Sequence, residues 1–190
     1  AKKLEDKVQP QPGLYLLDSS FRKKVAGQLK DTNKPYLLFI HGTNSNTEGA
    51  FGDLAAYKQF GLWNFITGAY GDNILTWDHK TFTHSPLENV IDLLQKLPSG
   101  ITLHLITHSR GGLVGDILAR ASSANINIGF SDAELALFAE GSNERMCMQT
   151  INTLAREKNI VVQKFIRVAS PSMGTSLLSN RLDHYLNTLL

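Results

Sequence analysis

Residues 101–114 change from a strand pattern to a helix pattern within a few positions, and a serine lies at the change. The stretch before Ser109 is typical of a buried strand, and the apolar residues after it recur at helical spacing. The local sequence THSRG is a variant of G-x-S-x-G, with Thr107 and Gly111 in the two glycine positions. Such a turn strains the backbone of the serine and lifts its hydroxyl clear of the sheet. The run therefore predicts a nucleophile at Ser109.

Small residues around Ser109 fit this interpretation. The positions two before and two after the serine lie close together at such a turn, so both must be small. Gly111 satisfies that need fully, and Gly112 leaves room for the new helix to pack on the sheet. The N-terminus of that helix also favours negative charge near the hydroxyl. The alternative is an ordinary Ser-Arg-Gly-Gly turn without chemistry, which the strand before and the helix after make less favourable.

Two further loops are expected at the same edge of the sheet. Residues 36–40 form a continuous apolar run that ends in His41-Gly42-Thr43-Asn44, and residues 160–168 form a strand that ends in a loop over 169–175. Strands alternate with helices along the chain, which predicts an α/β fold with a mostly parallel sheet and helices on both faces. The carboxyl ends of parallel strands carry the site in such sheets, so these loops and residues 107–112 should converge.

The remaining elements complete this organisation. Ser85 to Glu88 has the pattern of a capping box at the start of a helix. Residues 122–159 are longer than a simple crossover, and we expect a helical insertion or cap there. The domain is predicted over 13–190, after a polar lead segment at 1–12. Further strands are predicted over 14–17 and 73–77, and helices over 50–59, 62–69, 86–97, 148–158 and 177–190.

The loop after residues 36–40 is a candidate oxyanion hole. A serine nucleophile needs backbone donors aimed at the oxyanion of the tetrahedral intermediate. His41-Gly42 lets the backbone turn close to a substrate, so we assign these donors to the N–H groups of Thr43 and Arg110, with Asn44 as an alternative donor. The other interpretation of this loop is an ordinary turn at the end of a strand.

Together, these loops resemble the lipase and esterase branch of the α/β-hydrolase superfamily, and most closely bacterial lipase-like domains of unassigned function. The stretch from Trp77-Asp78-His79 to residues 85–89 is also similar to that group. The resemblance covers about residues 13–190. It implies that Ser109 is the nucleophile, that Thr43 and Arg110 form the oxyanion hole, and that His41 and His108 brace their loops.

The acid and base of a catalytic triad are missing from the pattern. In this superfamily they follow the nucleophile on loops after later strands, and the sequence predicts one further strand after the helix that follows Ser109. None of the six histidines follows such a later strand. Asp183 and His184 are neighbours on the predicted last helix and would point in divergent directions. We therefore expect the acid and base after Leu190, in a sheet that lacks its last strands here; the alternative is a shortened relative without a proton relay.

Composition limits the other classes of function. A chain of 190 residues with 42% hydrophobic residues suits one soluble globular domain. The 19 Lys and Arg exceed the 17 Asp and Glu only slightly, which predicts no nucleic-acid partner. The single Cys147 favours a reducing compartment, and we expect a cytoplasmic protein. No apolar run reaches the roughly 20 residues of a transmembrane segment. The start without Met is typical of a piece of a larger polypeptide.

The resemblance implies a serine hydrolase that acts on a small-molecule ester or lipid-like substrate through an acyl-enzyme on Ser109. No metal or cofactor is expected, because His and Cys lack zinc-ligand spacing and the chain lacks a glycine-rich phosphate loop. The alternative is a non-catalytic interaction or regulatory domain of the same fold within a larger protein. Apolar residues of the insertion predict either a lid over an acyl chain or plain core packing: Leu135, Leu137, Phe138, Met146 and Met148.

Overall fold

A computed structural model of the chain describes residues 2–9, 11–27, 29 and 33–170. The strands within this part of the chain are β1 (Gly13–Leu17), β2 (Lys23–Val25), β3 (Tyr36–Ile40), β4 (Ile74–Asp78), β5 (Thr102–His108) and β6 (Val161–Val168). The helices are α1 (Lys2–Val8), α2 (Thr47–Phe51), α3 (Asp53–Ala56), α4 (Leu62–Tyr70), α5 (Pro86–Lys96), α6 (Gly111–Arg120), α7 (Asp132–Leu135) and α8 (Asn143–Lys158). A short 3-10 turn, Lys58–Phe60, precedes α4.

The strands of the described residues form one sheet in the order β2-β1-β4-β3-β5-β6. Strands β4, β3, β5 and β6 run parallel, and β1 is antiparallel to both of its neighbours. Ile40 pairs with Thr107 at the carboxyl ends of β3 and β5, so the loops that follow these two strands begin side by side. The prediction of a mostly parallel α/β sheet is confirmed.

Helices cover both faces of this sheet, as the sequence predicts. The side chains of β3 alternate between the two faces because successive residues of a strand point in opposite directions. Leu38 and Ile40 pack in a core with α5, α6 and α8. Leu37 and Phe39 pack in a second core with α2 and α4. All five residues of β3 are buried, which explains the continuous apolar run.

The region predicted as an insertion or cap contributes to the core. Ile151 and Ala155 of α8 are fully buried in the same core as α5 and α6, so α8 is the crossover helix that leads to β6. Ser131 and Glu134 form a capping box at α7, as their spacing indicates. The apolar side chains considered for a lid divide between buried positions, Leu135 and Met148, and exposed positions, Leu137, Phe138 and Met146.

Two local expectations are wrong. The helix expected over 50–59 is divided between the end of α2, α3 and the 3-10 turn, because the chain leaves the helical conformation at Tyr57 with φ −86° and ψ 69°. Strand β2 is missed because it has three residues, two of them lysines, and little burial to generate an apolar pattern. The helix expected over 177–190 and most of the loop at 169–175 lie outside the described residues.

The N-terminal segment packs on the domain. The sequence predicts a polar lead over 1–12, and α1 forms within it. Glu5 and Gln9 are nevertheless buried, at 2% and 4% exposure. Among the described residues, no helix has the length and hydropathy to cross a membrane.

Candidate active site

The carboxyl ends of β3 and β5 lie at the switch point of the sheet, where the topology reverses and a crevice is expected. The chain leaves β3 toward helices on one face of the sheet and leaves β5 toward α6 on the opposite face. In parallel sheets, ligands bind outside the carboxyl ends of the strands at such a switch point. Residues 41–44 and 109–111 are the two loops at this crevice.

Ser109 adopts the backbone conformation of a nucleophile at a sharp turn. Its φ is +52°, in the left-handed region that residues other than glycine rarely occupy. Its N–H donates to the carbonyl of Val168 at 2.9 Å, and its own carbonyl accepts from the N–H of Gly112 at 2.9 Å. These bonds fix the turn between β5 and α6 and join it to the end of β6. The Oγ of Ser109 has no hydrogen-bond partner among the described residues.

Glycines allow the close approach of the loops around Ser109. A Cβ added to Gly42 would lie 2.7 Å from the Ser109 Cβ and 3.2 Å from its Oγ. A Cβ on Gly111 would overlap the carbonyl oxygens that end β3, and one on Gly112 would overlap the side chain of Ser170. No other residue type fits these positions without displacing the backbone, Ser109 or the Ser170 side chain. The need for small residues after Ser109 therefore has a direct steric cause.

The two amides predicted as oxyanion donors make no hydrogen bond among the described residues. In the part of the chain that the structure describes, the N–H groups of Thr43 and Arg110 donate to no acceptor. Asn44, the alternative donor, has φ +53° and its N–H donates to the Thr81 Oγ1 at 3.3 Å. The geometry therefore favours Thr43 over Asn44 as the donor from this loop.

A stacked pair of histidines lies beneath the loop at 41–44. The rings of His41 and His79 are 4.2 Å apart, and both are buried. His41 Nδ1 donates to the carbonyl of Gly42 at 2.9 Å, and its Nε2 accepts from the N–H of His79 at 3.1 Å. Because a carbonyl only accepts, this pattern assigns the neutral Nδ1–H tautomer to His41. Burial lowers the pKa of His41 and lowers that of His79 much further, so both rings are neutral.

Asp78 anchors the same region from the end of β4. Its side chain is fully buried; Oδ2 contacts the Lys23 ammonium at 2.6 Å, and Oδ1 accepts from the Thr47 N–H at 2.9 Å and the Thr47 hydroxyl at 2.6 Å. Burial alone would raise the pKa of Asp78, but the bonds from Lys23 and Thr47 lower it, so the carboxylate is charged. Asp78 thereby joins β2, β4 and the start of α2.

None of the described histidines reaches Ser109: no imidazole nitrogen forms a hydrogen bond with its Oγ in this part of the chain. His108 has a buried Nδ1 without a described partner. His84 contacts the Thr83 hydroxyl at 3.2 Å and Asp92 at 3.8 Å. Asp183 and His184 lie outside the described residues, as would any acid and base after Leu190. The prediction about the triad thus stays a prediction.

An apolar groove of about 660 Å³ runs along one face of β5 and β6. It begins near His108 and Val168 and extends between Ile106, Ile166 and α4. Ser109 does not line it, so the groove follows the face of the sheet and is separate from the crevice. Within the described ranges, no three His, Cys, Asp or Glu side chains are grouped as ligands for a metal.

Fold and site together define an α/β protein with a serine at a strained turn over the switch point of its sheet. The chain belongs to the family described as "Domain of unknown function (DUF7379)", whose model matches residues 8–132. That range includes the loop at 41–44, Asp78 and the turn at Ser109. No curated protein matches the chain. No solved structure matches it either.

Sequence reasoning missed most of the supporting residues. Asp78 and His79 carried one available signal, since they directly follow the apolar run of the sequence that ends at Trp77. Glu5 and Lys23 carried none, because each lies in a charged segment that is typical of a solvated surface. Their partners are far along the chain, and spacing does not encode such contacts.

Proposed function

We propose that this chain is a serine hydrolase of the esterase or lipase type, with the architecture of the α/β-hydrolase superfamily. The observation that carries the proposal is the environment of Ser109. Ser109 has a strained φ of +52° at the switch point of a parallel sheet, next to the loop that carries Thr43, and the amides of Thr43 and Arg110 donate to no acceptor among the described residues.

In this mechanism, the Ser109 Oγ attacks the carbonyl carbon of an ester while a base accepts the hydroxyl proton. The carbonyl oxygen becomes an oxyanion that the Thr43 and Arg110 amides stabilise. Collapse of the tetrahedral intermediate breaks the bond to the alcohol, which leaves with a proton, and an acyl group remains on Ser109. Water then attacks the acyl-enzyme and releases the acid. We place the base and its acid partner outside the described residues.

A small-molecule ester or a lipid-like ester fits this chemistry equally well. The support for an ester is the pairing of a hydroxyl nucleophile with amide donors, which suits acyl transfer. The apolar groove gives no support to a lipid, because Ser109 does not line it.

A non-catalytic interaction or regulatory domain is the second candidate. The observation that favours it is the lack of an imidazole bonded to Ser109 among the described residues. Without a base the hydroxyl remains a weak nucleophile, even beside a formed oxyanion hole.

Labelling with a fluorophosphonate probe separates the two candidates. We expect the full-length protein to be labelled at Ser109 and the Ser109→Ala variant to be unlabelled. Ser45→Ala is the matched control, since it removes a hydroxyl at the same edge of the sheet that, among the described residues, bonds to the Asn46 carbonyl alone. Labelling that persists in Ser109→Ala would contradict the hydrolase. A wild-type protein that is neither labelled nor active on esters would support the non-catalytic domain.

A further inference from the structure

The carboxylate of Glu5 is enclosed by a loop that follows β4, residues 79–84. Its Oε1 accepts from the N–H of Thr81 at 2.8 Å. Its Oε2 accepts from the N–H of Phe82 at 2.7 Å, the N–H of Thr83 at 2.8 Å and the Thr83 hydroxyl at 3.0 Å. Burial alone would raise the pKa of Glu5, but these four bonds lower it, so the carboxylate is charged. A charged side chain of α1 thus holds three consecutive amides of the loop.

The same loop contacts both sides of the candidate oxyanion hole. The Thr81 hydroxyl accepts from the N–H of Asn44, the residue after Thr43, at 3.3 Å. The carbonyl of His84 accepts from the Arg110 guanidinium at 2.6 Å. A change in the position of the loop therefore moves the neighbour of one donor and the side chain of the other.

Charge adds a second connection between α1 and the turn at Ser109. The Arg110 guanidinium is partly buried, which lowers its pKa, and the charge of Glu5 raises it. The Nη1 of Arg110 is buried without a partner among the described residues. The charge of Glu5 thus favours the charged form of the guanidinium that directly follows Ser109.

Gln9 extends this contact to the base of the loop at 41–44. Its side-chain amide lies 3.3 Å from the Nε2 of His41, the same atom that accepts from the N–H of His79. Both buried polar side chains of the N-terminal segment therefore support residues that flank the crevice.

We propose that Glu5 is a positioning residue for the reaction: its carboxylate fixes the loop at 79–84 and thereby sets the spacing of the Thr43 and Arg110 amides. The inference rests on the proposed hydrolase function. Loss of one oxyanion donor slows serine hydrolases by about 10²–10³-fold. Displacement of both donors without removal of either should slow acylation by roughly 10–100-fold, with little change in the binding of a small ester.

The test is chemical rescue of Glu5→Ala with formate. This variant leaves four donors around a cavity shaped for a carboxylate. We expect the rate of fluorophosphonate labelling at Ser109 to fall roughly 10–100-fold and to recover at least about fivefold when formate is added. Glu5→Gln keeps the shape of the side chain but removes its charge. Its labelling rate should fall as much as in Glu5→Ala and should recover less when formate is added. The matched control is Glu134→Ala, which removes another carboxylate that accepts an N–H and a hydroxyl, at 2.9 Å each from Ser131. Its labelling rate should match the wild type with or without formate.

Amide hydrogen exchange gives a readout that needs no activity. In Glu5→Ala, exchange should accelerate in residues 41–44 and 79–84 and slow again with formate. Labelling at the wild-type rate, or a loss that formate leaves unchanged in both Glu5 variants, would overturn the inference. If the wild type is not labelled at all, the hydrolase proposal fails separately. The exchange data then test the positioning role of Glu5 by themselves. Unchanged amide exchange at residues 41–44 in Glu5→Ala would overturn that role.

Discussion

The two sides of the crevice differ in how their polar groups are satisfied. On the supporting side, Asp78, Thr47 and His41 are buried and bonded to one another or to their neighbours. On the reacting side, the Ser109 hydroxyl and the amides of Thr43 and Arg110 have no partner among the described residues. The buried, bonded groups hold the backbone, and the free groups are the ones that an incoming carbonyl would meet.

This difference has an energetic basis. An unsatisfied buried polar group costs about 1–3 kcal/mol, so structures retain such groups only where something compensates them. Thr43, Ser109 and Arg110 are only half-buried, so solvent reaches their polar groups and this penalty does not apply to them; a substrate oxygen would take the place of that solvent. Both carboxylate oxygens of Asp78 have protein partners, and substitutions there should act on stability. Substitutions on the reacting side should act on chemistry.

The largest expected effect is that of Asp78→Ala on stability. The substitution leaves the Lys23 ammonium without its closest partner, leaves the Thr47 N–H without its acceptor and removes one of the two partners of the Thr47 hydroxyl. Removing one partner of a buried pair costs about 3–5 kcal/mol. Urea unfolding should show this loss, whereas Ser109→Ala and the exposed Asp72→Ala should each change stability by less than about 0.5 kcal/mol. An equal loss in Ser109→Ala would remove the distinction between the two sides.

A smaller effect, on chemistry, is expected from Gly42→Ala. The added Cβ would lie 2.7 Å from the Ser109 Cβ, so Ser109 or the loop at 41–44 must move. A displacement of about 1 Å reduces rates by about 100-fold, which is the expected loss in fluorophosphonate labelling.

Gly68→Ala is the matched control for that substitution. Gly68 is an exposed position of α4, and an added Cβ would meet nothing within 4 Å. Alanine there should stabilise the helix by about 0.5–1 kcal/mol and leave labelling unchanged. Wild-type labelling in Gly42→Ala would show that the close contact with Ser109 has no functional role.

The smallest effect is the dependence of stability on pH. His41 and His79 have folded-state pKa values below the ordinary 6.5, so the unfolded chain binds protons that the folded chain excludes. Stability should therefore be constant above about pH 7 and fall as the pH drops below 6.5. Each histidine contributes up to about 1.4 kcal/mol per pH unit until its folded-state pKa is reached.

Urea midpoints between pH 8 and pH 5 measure this dependence. His79→Gln removes one of the two buried rings and should reduce the slope below pH 6.5. A flat profile in the wild type over this range would mean that the histidines are not held neutral by burial.

Local patterns predicted the elements at which chemistry is proposed. The turn at Ser109, the apolar run of β3 and the capping box at Ser85 and Glu88 each depend on neighbouring residues, and the structure contains all of them. The sequence records these features directly because they arise from period, size and capping within one segment.

The features that local patterns could not predict depend mainly on contacts between residues far apart in the chain. Glu5 bonds to residues about 76 positions away, and its segment is otherwise charged and polar. Lys23 finds Asp78 only because β1 and β2 pair beside β4. At Tyr57 the backbone departs from helical geometry, although the apolar spacing of this stretch still favours a helix. Prediction failed where partners are distant along the chain.

The most direct test of the central claim is to trap the acyl-enzyme. The full-length protein is mixed with a p-nitrophenyl ester, quenched in acid and analysed by peptide mass spectrometry. We predict one acyl group on the peptide that contains Ser109, and none on that peptide in Ser109→Ala. Ester turnover that persists in Ser109→Ala, or an acyl group on another residue while Ser109 stays unmodified, would contradict the claim.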